Sequence, residues 1–80
     1  MNEEAVFQAL KEAIDNVLGK QLNVSPTSSL KEMGANSVDR AEILIQTLEK
    51  LNAQVPMVSF APAKNLGDII HIILGKSSTS

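Results

Sequence analysis

The 80-residue sequence contains no cysteine, tryptophan or tyrosine, and it has only two phenylalanines and one histidine. The absence of cysteine excludes disulfide bonds and thiolate metal sites. A serine–histidine catalytic site would have to be built around His71. No stretch approaches the roughly 18 consecutive apolar residues of a membrane-spanning helix. Aliphatic side chains must therefore form the core, and a membrane protein or a cysteine-based enzyme is not expected.

Length and net charge further restrict the classes of protein to which the chain can belong. Eighty residues make a single domain, which we place at residues 1–75, followed by a disordered tail over residues 76–80. The net charge of −2 argues against nucleic acid as a partner, because phosphate binding needs a basic surface. The first residues include Glu3 and Glu4, where a secretory signal would be basic, so a cytoplasmic location is expected.

Apolar spacing predicts three long helices and therefore an all-α fold. They cover Glu3–Leu18, about Ser37–Asn52, and a segment from near Asn65 to Gly75. Gly19 and Gly75 are expected to end the first and last helices. Pro62 is expected to open a short helical turn near Ala61–Lys64.

The second helix carries more apolar surface than a small core needs. Ile43 lies to one side of two adjacent apolar stripes. One stripe comprises Ala41, Leu44, Leu48 and Leu51, and the other comprises Val38, Ala41, Ile45 and Leu48.

Residues 20–36 are predicted to form a long connection. A connection of this length is unusual in a compact domain, so side chains must anchor it to the core. The expected anchors are Leu22, Val24, Leu30 and Met33, with a helical turn over Ser28–Met33.

Ser37 stands at the predicted start of the second helix, after a glycine joint at Gly34 and a good N-cap residue at Asn36. Unpaired backbone N–H groups and the helix dipole suit a phosphate there. No neighbouring residue can act as a base for the serine. Ser37 is thus a candidate for modification by another enzyme, although spacing alone favours the plainer interpretation that it only helps to cap the helix.

The ordered set Leu30-x-x-Met33-Gly34-x-Asn36-Ser37-Val38, with Glu42 and Val55-Pro56 after it, resembles the acyl carrier protein family over about residues 3–75. The resemblance implies a four-helix bundle with a short third helix and a long first loop. It also implies that Ser37 bears 4'-phosphopantetheine, that the chain catalyses nothing, and that it is a monomer. Asn36 replaces the family's acidic residue, and Arg40 adds a positive charge.

The segments Asn36–Ile43 and Ala61–Leu66 are similar to the free-standing donor carriers of polyketide β-branching. That similarity implies an acetyl or malonyl cargo. It also implies a phosphopantetheinyl transferase, an acyltransferase or decarboxylating ketosynthase, and a hydroxymethylglutaryl-synthase-like enzyme as partners. The expected recognition residues are Asn36, Val38, Asp39, Arg40, Ala41, Glu42 and Ile45.

Several alternatives stay open at this point. Val38 and Ile45 either dock a partner or pack under the loop, and the charged residues form either a docking face or a solvated one. The cargo of a carrier could instead be a fatty-acyl or peptidyl group. A helical protein-interaction module, with Ser37 only a cap, is the alternative from another class. An enzyme ranks last because too few catalytic groups are present; we expect His71 to be partly exposed and non-catalytic, and Met57 and Phe60 to close the bundle.

Overall fold

The computed structural model describes residues 2–19 and 23–77. Its elements are α1 (Glu3–Leu18), α2 (Ser37–Leu51), a 3₁₀ helix (Met57–Phe60) and α3 (Leu66–Ser77). These ranges contain no strand, and none of their helices has the length and apolarity needed to cross a membrane. The predicted all-α fold of three long helices and one short one is confirmed.

Capping residues explain why α1 and α2 begin and end where the sequence predicts. The Asn2 side chain accepts the backbone N–H of Ala5 at 2.8 Å at the start of α1. Gly19 ends α1 in the left-handed conformation, with a φ of 71°. Asn52 ends α2 in the same conformation, with a φ of 52°, which asparagine tolerates better than most residues.

The position predicted for the short third helix is wrong by four residues. It begins after Pro56 at Met57 and ends at Phe60, not at Ala61–Lys64. In a 3₁₀ helix each N–H donates to the carbonyl three residues earlier. Pro62 has no N–H to donate, so the 3₁₀ ladder is interrupted there. The predicted turn near Ala61 is limited to one hydrogen bond, from the N–H of Ala63 to the Phe60 carbonyl at 3.0 Å.

The predicted end of the last helix is also wrong, because α3 continues through Gly75 to Ser77. A helical glycine costs only about 1 kcal/mol relative to alanine, and burial of Ile70 and Ile73 holds the preceding turn in place. Lys76 and Ser77 thus belong to the helix. Residues 78–80 of the predicted tail lie outside the described residues.

The core is mostly aliphatic and lies mainly between α1 and α2, with α3 packed against α1. Ile43, expected to point away from the apolar stripes, is fully buried. The buried Thr47 donates its hydroxyl to the Ile43 carbonyl at 2.7 Å, so it leaves no unpaired polar group in the core. The buried apolar side chains are Val6, Ala9, Leu10, Ala13, Ile14, Leu30, Ala35, Ile43, Leu44, Leu48, Val55, Phe60, Leu66, Ile69, Ile70 and Ile73.

The long first loop is fastened to the start of α3. The carbonyls of Ser28 and Pro26 accept the N–H groups of Leu66 and Gly67 at 2.9 and 2.8 Å, which are donors that a helix leaves unpaired. A Cβ at Gly67 would lie 3.2 Å from the Pro26 carbonyl, so this approach favours glycine. The apolar anchors behave as expected, since Leu30 is buried while Val24 and Met33 pack partly buried on the core; Leu22 lies outside the described residues.

Candidate functional site

Ser37 is the first residue of α2, and its side chain is exposed. By helix geometry, the N–H groups of Ser37 and Val38 have no intrahelical acceptor. The Ser37 hydroxyl makes no hydrogen bond to another described residue. The oxygen is therefore presented to solvent at the positive end of a helix, where a phosphate is favoured.

A reciprocal capping box fixes the backbone around Ser37. The Asn36 Oδ1 accepts the N–H of Asp39 at 2.8 Å, and the Asp39 Oδ2 accepts the N–H of Asn36 at 3.4 Å. This pairing keeps the predicted N-cap and explains why Asp39 is only half-exposed. Gly34, with a φ of 86°, supplies the joint that the sequence predicts just before the cap.

The Asn36→Ala variant tests the cap. Loss of an N-cap side chain costs about 1 kcal/mol, so urea unfolding should show a destabilisation of that order. Asn36→Asp is the matched control, because it keeps the acceptor oxygen and adds a charge that the helix dipole favours. If both variants were equally destabilised, the cap would not explain how the start of α2 is held.

A cavity of about 600 Å³ lies beside Ser37. Its volume is within the usual range for small-molecule sites, about 300–1,000 Å³. Buried apolar side chains from four segments form part of its wall, namely Leu30, Leu44, Phe60 and Ile69. Polar and cationic side chains also line it, namely Ser29, Lys31, Ser37, Arg40, Lys64 and Asn65.

The arrangement offers no means of activating Ser37 as a nucleophile. Among the described residues, the cavity lining contains no histidine and no carboxylate. The only histidine, His71, is 75% exposed, and its Nε2 lies 3.9 Å from the Glu3 Oε1 instead. A serine hydroxyl without a nearby base is a weak nucleophile, so any chemistry at Ser37 must be catalysed by another protein.

Most of the predicted recognition residues are exposed around the first turns of α2, close to Ser37. Val38 is 76% exposed and Ile45 is 43% exposed, so Val38 does not pack under the loop. Arg40, Ala41 and Glu42 are also exposed. The Glu42 Oε1 accepts a hydrogen bond from Gln46 at 3.1 Å, while Gln46 in turn accepts one from Asn16 of α1 at 2.9 Å. Glu42 is therefore partly engaged within the protein.

Sequence reasoning missed several residues near the site. Lys31 and Lys64 line the cavity, and Val58 of the 3₁₀ helix is 77% exposed. Of the two residues expected to close the bundle, Phe60 is buried, but Met57 is 40% exposed and lines the cavity. A 3₁₀ helix placed directly after Pro56 would have predicted that Met57 and Val58 are exposed.

Comparison with known proteins shows which family the chain belongs to. A family model described as "Phosphopantetheine attachment site" matches residues 8–73. The polyketide biosynthesis acyl-carrier-protein AcpK of Bacillus subtilis (strain 168) is 33% identical over 78 residues, which is 95% of each chain. An acyl carrier protein of Helicobacter pylori (strain J99) is 34% identical over 71 residues, covering 81% of this chain and 91% of the relative.

A solved structure adds a close match in three dimensions. It is the crystal structure of the curacin biosynthetic pathway HMG synthase in complex with acetyl donor-ACP. One of its chains is 32% identical, with a TM-score of 0.81 over 90% of this chain and 95% of that chain. The chain thus belongs to the acyl carrier protein family, non-catalytic proteins that carry covalently attached 4'-phosphopantetheine.

Proposed function

We propose that Ser37 carries the phosphopantetheine arm and that the arm donates an acetyl group to a hydroxymethylglutaryl-synthase-like enzyme during polyketide β-branching. The proposed attachment is supported by the exposed Ser37 hydroxyl at the first turn of α2, which forms no hydrogen bond to a described residue. The donor role is supported by two likenesses, to a polyketide carrier and to a chain of the synthase–donor complex. That matched chain is close to this one in length, as expected for the carrier rather than for the synthase.

The chemistry is supplied by partner enzymes in three steps. A phosphopantetheinyl transferase removes the serine proton. The Ser37 oxygen then attacks the pantetheine-side phosphorus of coenzyme A, and adenosine bisphosphate leaves. An acyltransferase places malonyl on the arm thiol and releases coenzyme A. A decarboxylating ketosynthase would then release the malonyl carboxylate as carbon dioxide, and the α-carbon would take up a proton to give acetyl.

Tethering is what this chain contributes to the reaction. An arm fixed to one exposed serine raises the effective concentration of the acetyl group at the partner's active site. The exposed residues around the start of α2, which include Val38, Arg40, Ala41 and Ile45, are proposed to dock the partner and are called the docking face below. Asn36, Asp39 and Glu42 complete the set, although hydrogen bonds already engage their side chains. The cytoplasmic location and monomeric state expected from the sequence remain part of this proposal.

A donation assay tests the proposal. The protein is loaded directly from acetyl-coenzyme A by a broad-specificity transferase and mixed with a β-branching synthase and its acetoacetyl-carrier acceptor. Intact mass should show acetyl leaving this chain and the acceptor gaining it. Retention of acetyl, together with ready elongation by fatty-acid enzymes, would instead assign a general fatty-acid role, consistent with the relatives named only as acyl carrier proteins.

The docking face is tested on the same acetyl-loaded protein. A negative charge at the exposed Val38, in Val38→Glu, should slow donation about tenfold, which corresponds to about 1.4 kcal/mol of docking energy. Gln8→Glu is the matched control, because it adds the same charge at an exposed position of α1. Equal rates for the two variants would remove Val38 from the docking face.

A further inference from the structure

Cationic side chains without a partner are concentrated around the Ser37 cavity. Elsewhere in the described ranges, Lys11 pairs with Asp15 at 3.2 Å and Lys50 pairs with Glu12 at 3.4 Å. Three other cations in those ranges, Lys31, Arg40 and Lys64, form no ion pair with a described residue. All three line the same cavity.

The three cations come from three different segments, which the fold brings together. Lys31 belongs to the turn before α2, Arg40 to the first turns of α2, and Lys64 to the connection before α3. No aspartate or glutamate lines the cavity in the part of the chain that the structure describes. Lys31, Arg40 and Lys64 place positive charges around a partly apolar cavity, so an anion bound there would be attracted to them.

We infer that this cavity binds the carboxylate of a short carboxyacyl thioester, of the malonyl type, carried on the arm. The inference rests on the part of the proposed function that places the arm on Ser37. The phosphodiester of the arm is bonded to the Ser37 oxygen, and Arg40 follows three residues later on the same helix, so Arg40 is placed to pair with it. Lys31 and Lys64, on the other two segments, are left for a second anion at the free end of the arm.

This arrangement distinguishes the cargo before decarboxylation from the cargo after it. A malonyl group ends in a carboxylate, whereas the acetyl group formed by loss of carbon dioxide ends in a methyl group. The charged end is held at the cavity, and its loss removes the ion pairs to Lys31 and Lys64. The acetyl form therefore has a freer arm, which favours donation to the next enzyme.

Backbone NMR spectra of three loaded forms test the inference. A broad-specificity transferase makes the holo, acetyl and malonyl forms from coenzyme A, acetyl-coenzyme A and malonyl-coenzyme A. The amide signals of Lys31 and Lys64 should move in the malonyl form relative to both others. The unmodified protein is the reference for all three forms. If these signals move equally from the reference in all three, the phosphodiester accounts for the change. If they move in none, the cavity does not bind the arm. Either result overturns the inference.

A charge-removal series gives a second readout. The carboxyl of a ¹³C-labelled malonyl cargo should have a lower pKa on the wild-type protein than on the Lys31→Gln/Lys64→Gln variant, because cations favour the carboxylate. Lys11→Gln/Lys50→Gln is the matched control, since it removes two cations that do not line the cavity. It should leave the wild-type pKa unchanged. Equal pKa values in all three proteins would contradict carboxylate binding.

The outcomes of these experiments distinguish failure of the carboxylate site from failure of the donor role. Identical spectra for the malonyl and acetyl forms would overturn the carboxylate site while leaving acetyl donation intact. Spectral changes specific to the malonyl form, together with no donation to the synthase, would keep the carboxylate site and remove the donor role.

Discussion

The Ser37→Ala variant should fold normally but accept no phosphopantetheine arm from any transferase. Its helical circular dichroism and its urea midpoint should match those of the wild type, because the lost hydroxyl is exposed and forms no hydrogen bond to a described residue. The cap is supplied by the Asn36 side chain, not by Ser37. The expected loss of modification is complete, since alanine has no oxygen to bond to phosphorus.

Ser29→Ala is the matched control for this experiment. Ser29 lines the same cavity as Ser37, but it is half-buried, and its Oγ accepts the N–H of Glu32 at 3.1 Å. The Ser29 variant should still gain one arm. If the Ser37 variant melted the bundle, or if it still gained an arm, Ser37 would be structural or would not be the attachment site.

The Ile43→Ala variant should be strongly destabilised. Ile43 is 0% exposed within the core between α1 and α2. Truncation of a buried isoleucine to alanine costs about 2–5 kcal/mol, while a small domain is stable by only about 5–15 kcal/mol. Circular dichroism during urea titration should therefore show a midpoint far below that of the wild type.

Ile45→Ala offers a matched comparison two positions along the same helix. Ile45 is 43% exposed, so its truncation removes less buried surface and leaves no enclosed cavity. Its urea midpoint should lie close to that of the wild type. A comparable destabilisation of both variants would mean that the burial of α2 is assigned to the wrong face.

Local signals were sufficient to predict most of the fold. Gly19, Asn36 and Asn52 are residues whose caps depend on a few neighbouring atoms, so the bounds of α1 and α2 follow from them. The end of α3 could not be predicted from Gly75, because packing of the preceding isoleucines outweighs the weak tendency of glycine to end a helix.

The site was only partly predictable, because it is made where distant segments meet. The position of Ser37 at a helix start depends on adjacent residues, and the structure agrees with that position. The cavity is lined by residues of a turn, α2, the 3₁₀ helix and the start of α3. The first loop is held against α3 by the hydrogen bonds that two loop carbonyls accept from the first turn of α3. Spacing along the chain gives no signal that Lys31 and Lys64 line one cavity.

The attachment residue is tested most directly by locating the arm on the wild-type protein. The purified chain is incubated with coenzyme A and a broad-specificity phosphopantetheinyl transferase, and its mass is recorded before and after fragmentation. We expect a gain of one phosphopantetheine, and fragments that assign it to Ser37. An arm on any other serine, or no gain with several active transferases, would contradict the assignment of this helix start as the site where the cargo is carried.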